Sequence, residues 1–146
     1  MPNYSIVATG STGTNTGIAQ LKSTADQAKI GIYDVVIGSA ATPADQATNF
    51  VIARFTSAGT GAALTTGLLD QFSVTATASG RAMLTTEPET LTSLMIISLN
   101  QRATFRWVAS PGGELASRAS PTTGLELRSQ TATASYLVAA TILWTE

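Results

Sequence analysis

The sequence predicts an all-β fold: a single β-sandwich of about eight or nine antiparallel strands with jelly-roll-like closure. Three observations carry this expectation. From residue 30 onward apolar and polar residues either alternate with period two or gather in short β-branched runs. Clusters of Gly, Pro, Asn, Asp and Ser separate those runs at intervals of roughly ten residues. Beyond the first 29 residues almost nothing reads as a long helix.

The N-terminal part reads differently. Tyr4 to Ala8 fits a strand. Thr9 to Gly17 is a Gly, Thr, Ser and Asn tract with no buried pattern, which reads as a flexible connection. Ile18, Leu21, Ala25 and Ala28 have the spacing of one short amphipathic helix. Residues 1–29 are therefore expected to form an N-terminal strand and flexible arm, and residues 30–146 the β-sandwich domain.

Ile30–Ile37, Phe50–Phe55, Leu94–Leu99 and Tyr136–Trp144 are apolar on both faces and read as strands. Phe72–Thr77 alternates, with Phe72, Val74 and Ala76 expected on the core face. Ala103–Val108 repeats that pattern, with Phe105 and Trp107 inward and Thr104 and Arg106 outward. Leu125–Arg128 does the same in miniature, as half-buried antiparallel strands do. Turn chemistry marks Ala41–Asp45, Ser57–Gly61, Thr86–Glu89, Ser110–Gly113 and Ser120–Gly124. Asn100-Gln101, between two apolar runs, has the place of a tight hairpin turn.

Composition excludes more than it names. The chain holds no His and no Cys, the side chains most used for proton shuttling, thiolate attack and soft-metal binding near neutral pH. A serine hydrolase triad therefore lacks its base. No Ser stands three positions before Lys22 or Lys29, no Gly-Lys-Ser/Thr loop occurs, and Gly10-Ser-Thr-Gly13 with Gly17 does not match a dinucleotide fingerprint. Catalytic, cofactor and metal assignments are none. A net charge of −1 gives no field to draw nucleic acid or anionic lipid. Met1–Ser5 has no secretory pattern, and the Asn3-Tyr-Ser5 sequon is taken as a chance match. The longest apolar run, Tyr136 to Trp144, falls far short of the roughly 20 residues of a membrane helix.

Carboxylates keep one catalytic alternative open, since two acids flanking a glycosidic bond suffice for a glycosidase. The candidates are Asp26, Asp34, Asp45, Asp70, Glu87, Glu89, Glu114 and Glu126. Asp34, on the face of Ile32 and Val36, needs a cationic partner if buried, with Arg54 and Arg106 the candidates. Trp107, Trp144, Tyr4, Tyr33 and Tyr136 offer a sugar platform, but Trp107 and Trp144 fall in the core phase of their strands and read as anchors.

Three features point to association. Charged residues are 12% of the chain, about half the usual share, so the surface is covered by hydroxyls, methyls and backbone. Arginine outnumbers lysine six to two, and arginine is favoured at interfaces. The last strand is apolar on both sides: Tyr136, Val138, Ala140, Ile142 and Trp144 share one face, and Leu137, Ala139, Thr141 and Leu143 the other. A sandwich buries only one face of a strand. The second, Leu137, Ala139, Thr141 and Leu143, is the expected oligomer interface.

Gln101-Arg-Ala-Thr-Phe-Arg-Trp-Val-Ala-Ser-Pro-Gly-Gly-Glu114, the Leu125–Arg128 strand and the ending Trp144-Thr-Glu146 form one set of features. Joined to Ile30–Gly38 and Asn49–Thr56, they give a chain that resembles small β-sandwich decoration, or cement, proteins of tailed bacteriophages. The resemblance spans about residues 28 to 146, and Arg128–Tyr136 departs from it. It implies a homotrimeric structural protein of the virion, made in the host cytoplasm and carried on the capsid outer surface. The implied partners are the major capsid protein and the chain itself, with no nucleic acid, membrane or cofactor, and no catalytic residues to carry over. Arg102 and Arg106 are the residues assigned to partner contact. The alternative from another class is a carbohydrate-binding or receptor-binding head module of a phage.

Overall fold

The alternating and β-branched stretches become strands in the computed structural model, which describes residues 1–24, 29–89, 91–132 and 135–146. Among the described residues the strands are β1 (Asn3–Ser11), β2 (Thr16–Lys22), β3 (Ile30–Ala41), β4 (Ala47–Phe55), β5 (Thr60–Leu64) and β6 (Gly67–Leu68). They continue with β7 (Ser79–Thr86), β8 (Thr92–Asn100), β9 (Phe105–Val108), β10 (Leu115–Ser117), β11 (Gly124–Ala132) and β12 (Leu137–Thr145). No helix occurs among them. The fold is all-β, two antiparallel sheets in a β-sandwich.

Sheet A runs β10-β3-β12-β1-β6, with β9 pairing a second stretch of the β3 edge; sheet B runs β5-β7-β2-β11-β4-β8. The order β1-β12-β3-β9 in one sheet mirrors β2-β11-β4-β8 in the other, so the chain repeatedly crosses from sheet to sheet. The core lies between them. Sheet A contributes Tyr4, Ile6, Ile32, Val35, Ile37, Val138, Ile142 and Trp144, and sheet B contributes Leu21, Phe50, Ile52, Ile97, Leu125 and Leu127. Tyr4 and Trp144 are direct cross-strand partners with ring centroids 5.5 Å apart, an aromatic pair at one end of that core. Phe105 and Trp107 pack on the core from β9, while Arg106 and Val108 face out, as the alternation predicts.

The first 22 residues are not a strand followed by a loose arm. β1 pairs along its length with β12, and β2 sits between β7 and β11. The Thr9–Gly17 tract is the end of β1, a turn and the start of β2. Hydrogen bonds hold that turn: Thr12 N–H donates to Tyr136 O at 2.9 Å, and the Ser129 and Ser135 hydroxyls donate to Gly13 O and Thr12 O at 2.8 Å each. Asn15, at φ 54°, supplies the left-handed residue that closes it. Its order comes from hydroxyls and main chain, which a hydrophobic pattern does not register. Ile18 and Leu21 lie in β2 rather than in a helix, and Ala25 and Ala28 fall outside the described residues.

Three further expectations are corrected. Phe72–Thr77 is not a strand; Phe72 is 96% exposed and Val74 is exposed as well. The segment is fixed as a loop by an Asp70 side chain that accepts Phe72 N–H, and by Glu146, which accepts Thr77 and Ala78 N–H. Asn100-Gln101 does not close a hairpin, because β8 belongs to sheet B and β9 to sheet A; the turn carries the chain between layers. Leu125–Arg128 belongs to the longer strand β11 (Gly124–Ala132) and is buried on both faces there, Glu126 and Arg128 included.

Candidate functional site

The outer face of sheet A is built from the second sides of β1, β12, β3 and β9. Cross-strand register sets its rows: Ser5, Leu143, Asp34 and Val108 in one, Val7, Thr141, Val36 and Arg106 in the next, then Thr9, Ala139 and Gly38. Leu137 follows beside Ser11. The predicted interface residues Leu137, Ala139, Thr141 and Leu143 therefore do form one line. They are half-buried, while Val138, Ala140, Ile142 and Trp144 of the same strand are buried in the core. Val7 and Val108, on the flanking strands, are 62% and 55% exposed, so this face is open to solvent.

The charged side chains in these rows are Asp34 and Arg106. A bulge places Asp34 there: β12 register passes from Leu143 opposite Asp34 to Trp144 opposite Ile32, skipping Tyr33. Ile32 thus enters the core, while Asp34 and Val36 face outward, so the expected shared face of Ile32 and Val36 is not formed. Arg106, one of the two cationic partners suggested for Asp34, closes on it with a fork. Its Nε donates to Oδ1 at 3.1 Å and its Nη2 to Oδ2 at 2.6 Å. The carboxylate hydrogen bond and charge raise the Arg106 pKa above its ordinary value. Arg54 instead spans to the other sheet, donating to Ala116 O from Nε at 3.0 Å and Nη2 at 2.6 Å. Arg102 is exposed in the turn after β8 and does not join the rows of sheet A.

The outer face of sheet B carries a second cluster. The β4–β5 and β7–β8 loops pair with each other, Thr56 and Ser57 exchanging main-chain bonds with Glu89, and lie over β2 and β11. Gln20 beneath them donates to Gly59 O at 2.9 Å and accepts Gly59 N–H at 3.2 Å. Glu87 reaches in from the second loop, its two oxygens accepting Gly17 N–H at 3.0 Å. Glu126 has no exposed surface, and neither of its oxygens finds a donor when it is ionised. Arg128 stands 3.7 Å from both glutamates. Burial pushes the Glu126 carboxyl up to about 8; Glu87 adds to the rise and Arg128 opposes it.

A raised acid beside a second carboxylate has the makings of glycoside chemistry, but Glu126 offers no surface to a substrate. The neighbouring apolar cleft, lined by Thr9, Ser11, Gly17, Leu84 and Leu137, reaches neither glutamate. As placed, the two carboxylates lie together against Gly17, and Glu87 fastens its loop there. Of the other acids, Asp34 is paired, Asp45 accepts from Asn100 Nδ2 at 2.6 Å, Asp70 and Glu114 cap their own turns, and Asp26 lies outside the described residues. Tyr4, Tyr136 and Trp144 are buried and provide no sugar platform.

The sequence pattern misses the apolar tip on the loop after β6. Leu69, Phe72 and Val74 are all exposed there beside the exposed Leu68 that ends β6, and the loop is tied down by Leu69 N–H to Asn3 O and Tyr4 Oη to Val74 O. The available signal is Asp70 two residues before Phe72, an Asx-turn pattern that competes with a strand. No family model matches the chain, and no curated protein matches it.

Proposed function

We propose that this protein is a structural component of a virion, a homotrimeric decoration protein that binds and stabilises a lattice of major capsid protein. The carrying observation is the solvent-open outer face of sheet A, which is broad, made of short and apolar side chains, and charged only through an internally neutralised pair. Such a face suits a neighbouring copy: removing it from water is favourable and strands no charge. The jelly-roll reading of the fold rests on the mirrored orders β1-β12-β3-β9 and β2-β11-β4-β8.

A trimer presents three copies of one weak lattice contact, and engagement of all three raises avidity by roughly 10²–10⁴. Free shell subunits would be ignored and assembled shells gripped. Binding the intact shell stabilises it by mass action, about 4 kcal/mol at a thousandfold excess over Kd. The exposed, tethered Phe72 is the natural anchor for that contact, since aromatic side chains dominate interface energies.

Mixing the protein with empty shells and sedimenting them tests the proposal. A stable monomer that fails to co-sediment would overturn it. Phe72 also favours a second reading, a receptor-binding head stacking on a glycan. Glycan-array hits lost in Phe72→Ala, with no shell binding, would establish that alternative instead.

A further inference from the structure

Exposed sheet edges invite pairing with other chains, and proteins blunt them with short strands, charges, Pro or bulges. Most edges here are blunted in that way. Sheet A ends in β6 of two residues on one side and in β9 and β10 of four and three on the other; sheet B begins with β5 of five residues, itself irregular. The remaining edge is β8, nine residues long, Thr-Ser-Leu-Met-Ile-Ile-Ser-Leu-Asn, with no charge, no Pro and no Gly. One bulge lies near its start, and from Met95 to Asn100 its register with β4 is unbroken. Among the described residues no strand pairs with its outer edge. Ile96 is 61% exposed on its outer side.

We infer that β8 is a second self-association site, at which two copies pair antiparallel across a two-fold axis and join their B sheets. Charge at the two ends favours a second copy as the occupant. The strand is preceded by Glu89 and followed by Arg102, both exposed. Antiparallel pairing centred on Ile96 sets Leu94 opposite Ser98 and Thr92 opposite Asn100, so each Glu89 comes beside the Arg102 of the other copy. Asp45, the other acid near the Arg102 end, already accepts from Asn100. The isologous contact puts Ile96 against Ile96 and leaves like charges apart. A partner strand of uniform charge would satisfy only one end.

This site is separate from the sheet A face and does not rest on the shell reading. In the shell context it would tie one trimer to the next.

Light scattering and sedimentation of the full chain across a concentration series test it. Ile96→Lys is expected to lower the mass of the assembly, to half where β8 is its sole contact, while the circular dichroism of the sandwich stays the same. Ser98→Lys, on the same exposed side, gives an independent check. Glu89→Arg and Arg102→Glu should each weaken the association by roughly tenfold or more at low salt, and the double swap should restore it. An unchanged mass in folded Ile96→Lys and Ser98→Lys overturns the site. Single swaps without effect, or a double swap that fails to restore association, overturn the antiparallel two-fold pairing.

Discussion

Glu126 and Glu87 meet behind the backbone of Gly17, where the space a Cβ would occupy is already filled by Glu126 Oε1 at 2.5 Å and Glu87 Oε2 at 2.7 Å. Glu87 is anchored by Gly17 N–H, and Glu126 is buried beneath the loops that Glu87 helps to fasten. Two carboxylates at this spacing are compatible when one of them keeps its proton.

Stability should therefore fall as the solution becomes alkaline. Glu126 is raised from 4.5 to about 8, so between those values the folded protein holds a proton that the unfolded chain has released. Its contribution is complete below the lower value, is lost as pH climbs through the upper one, and is level beyond. Urea midpoints measured from pH 6 to 9 check this. Glu126→Gln, which keeps the shape and offers Glu87 a permanent donor, should flatten that slope and gain about 1–3 kcal/mol over wild type at the alkaline end.

Gly17→Ala probes the same contact sterically. The new methyl would collide with Leu84 Cδ1 and with both glutamates, two of them buried or tethered groups with little room to give. Overpacking of this kind costs typically about 1–3 kcal/mol. Denaturation should show that loss, and hydrogen exchange should show it concentrated in the loops at residues 56–61 and 86–89.

Much of this architecture is legible in the residues, and the failures share a cause. β3, β4, β8 and β12 announce themselves because β-branched and aromatic residues must be hidden on at least one face. Asp34 announces its need for a cation because a buried carboxylate is costly alone. The turn before β2 stays hidden, since hydroxyl-to-carbonyl bonds from a distant segment replace the apolar pattern, and β2 itself is disguised because Ile18 and Leu21 also have helical spacing. Glu126 and Arg128 look solvent-facing because nothing local reveals that loops from elsewhere will cover them. Phe72–Thr77 misleads in the opposite sense: its alternation is real, but no strand lies alongside to bury it. Period-two patterning reports a possible face, and tertiary neighbours decide whether that face is covered.

Arg102 and Arg106 should separate cleanly. Arg102 is exposed, and Arg102→Ala should change stability by no more than about 0.5 kcal/mol. Arg106→Ala leaves Asp34 buried without its cation, so its thermal midpoint should drop below that of Arg102→Ala. Adding Asp34→Asn to Arg106→Ala should recover part of the loss. Thermal melts of the three variants are sufficient to check this ordering.

Phe72→Ala should leave folding almost untouched, since a side chain so fully exposed has little packing to lose. If Phe72 anchors the shell contact, the same change should cost about 2 kcal/mol or more in binding. Co-sedimentation with shells reads that loss, and an unchanged melting curve shows that it is not a folding defect. Glu146→Gln should act in the same direction more weakly, because Glu146 holds Thr77 and Ala78 at the base of the loop.

The two sides of β12 should respond in opposite ways to a buried charge. Val138 and Ile142 lie in the core between the sheets, and an Asp at either should unfold the protein, since an unpaired carboxylate there is more costly than the few kcal/mol that hold a domain together. Leu137 and Leu143 lie half-buried on the outer face of sheet A. With no neighbour, Leu137→Asp or Leu143→Asp can turn its carboxylate to water and should cost little. Against a sister copy the same carboxylate is trapped at the contact. The expected result is a folded protein that has lost its trimeric mass, by circular dichroism and light scattering, with Leu143→Asp the more severe because its row also carries Asp34. A variant that stays trimeric and only melts earlier would mean that the neighbour binds elsewhere, and that this face owes its composition to packing within its own sheet.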